Sequence, residues 1–372
     1  MTSREARPLV ICKMRNGYED SRVLVNESRN RWLRPSTPAD APAIIALMRE
    51  AGLVPHVEPA HLQWKYWRAR ADWPGSRSFV LTDGRDLLAH GAVMPGTLRS
   101  GSFRAGAIHM IDWAARRDAV GAGVSLMKHV GGLTDFLFGI GGSAQTRKIM
   151  PLIGYQPCGV VTGYARPLAP LALLNRPSQP RWKRLPRLAR SIFWSVTAPA
   201  DASSGWRTRR VGEDEVERIA ALGSAATSDH AVLERSAAFL RHALACPIVP
   251  VELFALERFG RIHGYFLLSY APGQARLADW WVDSQDSADW HALVHAAVRQ
   301  AKEKGRFAEL VVWASDPVQS RFLEDCGFHR RFTLPIYFRR SGRLEVPSDG
   351  VRVQMLDNDA FYLYFGRNEL WA

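Results

Sequence analysis

Two glycines that close a polar turn are the chain's clearest opening to chemistry. Ile108 to Val130 reads as an apolar strand, the turn Asp118-Ala119-Val120-Gly121-Ala122-Gly123, and an apolar-periodic helix. Glycine lacks the Cβ that keeps a ligand off the backbone, and a helix N-terminus presents unbonded N–H groups. The turn is therefore a candidate phosphate cradle. Just upstream, His109 and Asp112 are groups able to take or give a proton. Strand alternation puts them on opposite faces unless a bulge intervenes.

Other reactive spacings carry less. His291 and His295 lie four apart on a helix, but the intervening Ala-Leu-Val lacks the glutamate of a zinc-protease helix, so no metal is expected. There is no G-x-S-x-G elbow, P-loop or Rossmann fingerprint. Cys12, Cys158, Cys246 and Cys326 are widely spaced and fit neither a disulfide framework nor a zinc pattern.

The elements that must position the turn follow from periodicity. Trp32 to Pro35 reads as a short strand, and Ser36-Thr37-Pro38-Ala39-Asp40 caps a helix with its apolar face at Ile44, Ile45, Leu47 and Met48. A second helical stretch spans Pro59 to Arg70. Strands at 78–82 and 87–95 flank the turn Asp83-Gly84-Arg85-Asp86, and the strand 104–114 leads to the glycine turn. After the helix 123–130 come a strand at 136–140, a helix at 144–153 and a strand near 159–166.

At 372 residues the chain calls for two domains of roughly 150 residues each. The apolar share of 47% and charged share of 23% suit a soluble protein. No segment supplies the roughly 18 uncharged apolar residues of a membrane span, and Arg4, Glu5, Arg7, Lys13 and Arg15 interrupt any leader-like run. The expectation is a cytoplasmic protein, with contact at the inner membrane face as a secondary placement. Residues 1–30 show no period and read as a poorly ordered extension. The net charge of +13 is concentrated: residues 136–200 hold no acid but nine basic residues. Residues 169–205 read as a basic, proline-rich connector in which Leu185, Leu188, Ile192 and Phe193 form a helical apolar stripe. Such a helix rests on a membrane surface or, the commoner arrangement, packs on a neighbouring domain.

The second half repeats the first. Residues 206–222 parallel 32–48, residues 251–270 fall where the hairpin of the first half fell, and Asp279-Trp280 stands opposite Asp112-Trp113. Ser143 to Arg166 matches Asp316 to Arg339 without a gap, aligning Gly154-Tyr155 with Gly327-Phe328 and Arg166 with Arg339.

This order of elements, with a glycine turn after the fourth strand and a Gly-aromatic pair further on, resembles the GNAT acyltransferase superfamily over 31–168 and, in a degenerate form, over 206–340. The resemblance implies a mixed α/β sheet built as tandem GNAT folds, with 341–372 packing on the second. It also implies that the turn cradles the pyrophosphate of acetyl-CoA or another acyl-CoA, with no metal. Trp113, Ala114, Arg116, Arg117, Asp118, Ala119, Val120, Gly121, Ala122, Gly123, Val124 and Ser143 then become the cofactor-binding set. Asp118 stands where the family has Arg or Gln, so Arg116 and Arg117 are expected to supply the charge. Ser143 stands where it often has Asn. In the second copy the corresponding turn, 283–289, lacks glycine and carries Asp283, Asp286 and Asp289, which would repel a pyrophosphate. One CoA site per chain is expected, in the first copy.

Within that resemblance, backbone N–H groups near Trp113 and Ala114 meet the thioester oxygen, and the base is Asp112 or His109, with Glu58 and His61 next. Asp112 recurs as Asp279 in the copy unsuited to CoA, which speaks for a structural hydrogen bond. His109 also reads as a satisfied interior histidine. The family's usual tyrosine acid is replaced by Met150, leaving Tyr155 and Tyr164 as substitutes. Glu58, His61 and Trp64 are expected on the acceptor side, Trp64 as one of several tryptophans able to line a groove. The expected acceptor is an amine or hydroxyl on a small molecule, saccharide or cell-envelope precursor, in a monomer or homodimer, with nucleic acid not expected. Two alternatives stay open: a Fem-like transferase using aminoacyl-tRNA, and a non-catalytic polyanion- or membrane-binding module on the same scaffold.

Overall fold

Residues 87–115, which supply strands of 14 and 13 residues, fold into a hairpin that anchors the first half. The computed structural model describes residues 23–26, 31–175, 181–201, 205–225, 230–340 and 351–364. The first half runs β1 (Val23–Asn26), β2 (Arg31–Pro35), α1 (Ala41–Glu50), α2 (Pro59–Leu62) continuing into a π-helical turn (Gln63–Trp67), β3 (Ser78–Thr82), β4 (Leu87–Ser100), β5 (Phe103–Ala115), α3 (Ala122–Val130), β6 (Phe136–Ile140), α4 (Ala144–Ile149) and β7 (Gln156–Pro167). Helix α5 (Arg181–Val196) lies in the connector. The second half runs β8 (Arg207–Arg210), α6 (Val216–Ala225), β9 (Ala231–Leu233), α7 (Ala237–Leu244), β10 (Val251–Arg258), β11 (Arg261–Ala271), β12 (Gln274–Val282), α8 (Ser287–Lys304), β13 (Glu309–Ala314), α9 (Pro317–Asp325) and β14 (His329–Arg340), before β15 (Val351–Arg352). Residues 1–22 and 27–30 of the expected extension, and Cys12 with them, lie outside the described residues. Val23–Asn26 pairs antiparallel with β2, adding a strand where no period was read.

One mixed sheet joins the halves in the order β1-β2-β3-β4-β5-β6-β14-β7-β13-β12-β11-β10-β8. Its centre is an exchange. The last strand of the second half, β14, sits between β6 and β7, and β7 continues to β13. Each half thus completes the other's sheet. The matched arginines follow the same exchange: Arg166 on β7 donates to the Cys326 carbonyl at 2.6 Å, beside the Gly327 turn. Arg339 on β14 lies against Gly154, where a Cβ would be 3.5 Å from its Nε. Both glycines are left-handed, φ +92° and +76°, a conformation that strains any residue with a side chain.

Around the first half the sheet is covered on both faces. Leu126, Met127 and Val130 of α3 bury against Leu81, Ile108, Leu137 and Tyr155. Ile44, Leu47 and Met48 of α1, at i, i+3 and i+4, pack with Leu62, Tyr66, Ile111 and Ala114 on the opposite face. A shared core crosses the boundary, with Trp64, Phe138, Leu240, Trp313, Ile336, Met355 and Tyr362 in one cluster.

Two expectations are corrected. The C-terminal segment contacts both halves, not the second alone: Gln354 bonds the Trp280 backbone at 2.8 and 3.0 Å, while Asn358 reaches His109 and the Tyr364 N–H points to His56. Helix α5 lays Ser191 on the protein and leaves Leu185, Ile192 and Phe193 exposed, the reverse of the packing expected from its apolar stripe. A stripe's spacing gives its existence, not its direction.

Candidate functional site

The strand that leads to the glycine turn parts from its neighbour. The parallel ladder between β5 and β6 pairs Ala107, Ile108 and His109 with Phe136, Leu137 and Phe138, and ends there, while β5 continues to Ala115. On the other side β4 stays paired but bulges: His90 faces Ala114 and Ala92 faces Ile111, so Asp112 and Trp113 share the place opposite Gly91. Asp112 is left-handed at φ +50°. A bulge of one residue changes the parity of the strand. Trp113 and Ala115 accordingly pack on the α3 side, Ile111 and Ala114 on the α1 side. It also brings Asp112 and His109 toward the same segment, where Asn358 bonds His109 and Asp359 shares Lys65 with Asp112.

Asp112 enters a buried ion cluster. Its Oδ2 lies 2.5 Å from Lys65 Nζ and accepts the Tyr66 hydroxyl at 2.7 Å. Asp359 Oδ2 is 3.7 Å from the same Nζ, whose charge also faces the Tyr362 ring at 5.4 Å. Lys65, Asp112 and Asp359 have side chains only 5%, 10% and 13% exposed. One ammonium therefore serves two carboxylates in a place where each charge is costly to desolvate. Burial raises the Asp112 carboxyl, but Lys65 and the Tyr66 hydroxyl outweigh it and hold it below the ordinary carboxylate range. Burial and the neighbouring Asp112 charge push Asp359 up to about 6, against the pull of Lys65.

Lys65, Tyr66, Asn358 and Asp359 escaped the sequence reading. The available signal was a lysine set between aromatics in Trp64-Lys65-Tyr66-Trp67 and the acidic run Asp357-Asn358-Asp359 preceding Ala-Phe-Tyr.

His109 has both ring nitrogens engaged. Nδ1 meets the Phe138 carbonyl at 3.1 Å and Nε2 accepts from the Asn358 amide at 2.9 Å. Burial pushes it down to about 4, so it is neutral near pH 7. Tyr155 is buried in the cluster on the α3 face, away from the Asp112 side, and its hydroxyl has no hydrogen-bond partner. Burial raises it far above its ordinary value.

On the acceptor side, Trp64 donates to the His242 carbonyl at 2.7 Å and stacks on that ring, tying the halves together. His61 is buried among His56, Trp64 and Tyr362, and burial with the Lys65 charge pushes it down to about 3. Glu58 is exposed, 3.5 Å from His56 Nδ1.

At the turn the two glycines do different work. Gly121 caps α3 at φ +79°, with open space where a Cβ would stand. Gly123 lets the helix close on the strand: a Cβ there would come within 3.1 Å of Trp113 Nε1 and of Ala115, and Trp113 donates to its carbonyl at 3.2 Å. Arg116 does not supply a free charge. It bonds Asp118 through two contacts of 2.7 and 3.0 Å and reaches Asp86 at 3.0 Å, neutralising the carboxylate that stands in the family's Arg/Gln place. Arg117 is exposed and makes no salt bridge among the described residues. Val120 is exposed, Ala119 and Ala122 are buried, and Val124 is half-buried behind the helix mouth. Open space at Gly121, the N–H groups of the first helical turn and Arg117 fit a pyrophosphate. Ser143 is the N-cap of α4, accepting from Thr146 N–H at 3.1 Å, as its counterpart Asp316 caps α9. In the second copy Asp286 occupies the corresponding helix mouth itself, accepting from Ala288 N–H at 2.9 Å. His291 lies 3.4 Å from Asp325, and His295 is buried.

No protein-family profile and none of the curated proteins matches the sequence. Solved structures do. A GCN5-related N-acetyltransferase from Anabaena variabilis aligns with TM-score 0.57 at 10% identity, over 84% of this chain and 73% of that one. A probable N-acyltransferase from Enterococcus faecalis gives 0.54 at 11%, over 83% and 72%. Saccharomyces cerevisiae N-myristoyltransferase with bound myristoyl-CoA gives 0.58 at 11%, over 88% and 82%. The chain has the fold of the GNAT acyltransferases.

Proposed function

We propose that the chain is an acyltransferase that moves an acyl group from acyl-CoA to an amine where β5 and β6 part. One coincidence carries the reading: an open glycine turn and a strand pair separating beyond His109 belong to the first half, and Asp359 of the C-terminal segment, a carboxyl raised to about 6, is set 3.7 Å from Lys65 of that same half. Structural neighbours that are N-acyltransferases, one of them holding myristoyl-CoA, support it.

In this reading the N–H groups of Gly121, Gly123 and Val124 and the Arg117 guanidinium hold the pyrophosphate, the Ala122 N–H being spent on the Ala119 carbonyl, and main-chain N–H groups near Trp113 and Ala114 receive the thioester oxygen. Two carboxylates to one lysine leave the site short of positive charge, which favours an incoming ammonium over a hydroxyl. An aminated saccharide or cell-envelope precursor meets that requirement. Asp359 takes a proton from the ammonium, with Lys65 and Tyr66 keeping Asp112 ionised beside it. The freed amine attacks the thioester carbon, the C–N bond forms, the C–S bond breaks with its electron pair going to sulfur, and the second proton shed by the nitrogen passes to that departing thiolate. Met150 stands in the family's usual acid position, so the thiol, with a pKa of about 8.5, departs as the thiolate.

Calorimetric titration of the full chain with acetyl-CoA and longer acyl-CoAs tests the reading. Binding weakened by Arg117→Glu is expected; absence of binding to every acyl-CoA overturns it.

A further inference from the structure

Helix α5 turns its apolar side to solvent. Leu185, Ile192, Phe193 and Val196 are 70%, 42%, 62% and 79% exposed. With the exposed Ala189 they fall at i, i+4, i+7, i+8 and i+11, one stripe along about three turns of helix. Leu171, in the 3₁₀ segment that packs against α5, adds another exposed apolar side chain.

The polar side faces the protein and gathers arginines, with Glu309 as the acid that faces them among the described residues. Ser191 is buried, and Trp194 stacks on His329 with ring centroids 3.8 Å apart. The guanidiniums of Arg190 and Arg331 lie 4.7 and 5.0 Å from the Trp194 ring. Neither they nor Arg187 makes a salt bridge among the described residues, and the Nε atoms of Arg190 and Arg331 are buried without a hydrogen-bond partner. Burial, followed by repulsion from neighbouring arginines, pushes both below the usual arginine range. Glu309 opposes that shift, while residues 136–200 themselves contribute nine basic residues and no acid.

We propose that α5 is a membrane-surface anchor: its stripe lies in the headgroup–acyl boundary of an anionic bilayer, and the excess of basic residues over 136–200 attracts lipid phosphates. An exposed apolar stripe backed by positive charge is the composition that anionic interfaces select. A second copy is a poorer occupant, because a two-fold interface would bring together two copies of the acid-free basic stretch 136–200.

Co-sedimentation of the full chain with phosphatidylcholine vesicles, with and without phosphatidylglycerol, tests the anchor. The wild type is expected to sediment with the anionic vesicles and to be partly released by salt. Leu185→Glu and Phe193→Glu together should lower partitioning by at least about tenfold with an unchanged Tm, since both side chains stand mostly in water, and adding Ile192→Glu should lower it further. Arg187→Gln with Arg190→Gln should remove the preference for the anionic vesicles. Three results would overturn the proposal: no sedimentation of the wild type, sedimentation of the triple glutamate variant equal to wild type, or a solution dimer that Phe193→Glu dissociates.

Discussion

Asp112 and Asp279 are counterparts: each lies on the strand of its half just beyond the point where that strand leaves its parallel neighbour. Each accepts a tyrosine hydroxyl, from Tyr66 and Tyr265 respectively. Each shares its cation with an aspartate of the C-terminal segment. The cations differ in what they close. Arg235 bonds Asp279 at 2.8 and 3.0 Å and Asp357 at 2.5 Å, spending its fork on both carboxylates. Lys65 is a point charge 2.5 Å from Asp112 but 3.7 Å from Asp359, which leaves Asp359 the carboxylate able to exchange a proton.

Removing Arg235 should therefore be a stability experiment. Arg235→Met strands two buried carboxylates, and a loss of about 3–5 kcal/mol is expected by chemical denaturation. Tyr265→Phe removes one hydrogen bond to Asp279 and should cost about 1 kcal/mol. Equal, small effects from both would show that the second cluster is not a closed ion pair.

Asp359 should titrate near 6. A carboxyl whose folded pKa lies above its unfolded value stabilises the protein below the unfolded value and loses that contribution as pH rises through the folded one. With 3.8 as the ordinary value and about 6 in the fold, the window runs from roughly pH 4 to 6. Asp359→Asn mimics the protonated form, so its stability relative to wild type should rise across that window by on the order of 1–3 kcal/mol. Carbon-13 carboxyl spectra should show one aspartate resonance with a midpoint near 6 that the variant lacks. If the acceptor's proton goes to this group, acyl transfer at fixed acyl-CoA should climb with a midpoint near 6, the folded value. A carboxyl titrating near 4 in the wild type would remove Asp359 from the proposed chemistry.

Much of the frame was legible because it is local. Strand, glycine turn and helix follow one another at 108–130, and the matched pairs Gly154 with Gly327 and Ser143 with Asp316 hold as turn and cap. The exchange of β7 and β14 was not legible. Those strands come from matched stretches with the same Gly-aromatic start and the same arginine, so pattern alone cannot say which half's neighbour each one joins. The Lys65–Asp359 contact spans almost the whole chain, and no spacing rule reaches that far. Strand alternation makes the bulge a condition for His109 and Asp112 to face one segment, and the left-handed Asp112 meets it.

The turn offers a separation of roles. Arg117 is exposed, so Arg117→Glu should weaken acyl-CoA binding by about tenfold, one charge reversal near a pyrophosphate, without moving Tm. Gly123→Val should instead lower stability by about 1–3 kcal/mol, since its side chain would enter the space held by Trp113 and Ala115. Calorimetry with acetyl-CoA and thermal unfolding read the two effects apart. A Gly123 variant of normal stability that loses binding would show that this glycine serves the ligand directly.

The strand exchange predicts how the halves behave when separated. Residues 31–168 alone would keep β6 without β14 beside it, and β7 without either β13 or β14. Unpaired edges of this length at the centre of a sheet invite aggregation, and the cluster shared by Trp64, Phe138, Ile336 and Tyr362 would be cut open as well. The fragment should thus be insoluble or partly unfolded when expressed alone. Co-expression with residues 169–372 should yield a complex that elutes as one species and melts cooperatively, because each fragment supplies the strand that the other lacks. Circular dichroism and size-exclusion chromatography provide the measurement. A first-half fragment that is monomeric and folded by itself, with β7 returned to the side of β6, would mean that the exchange is not required by the sequence.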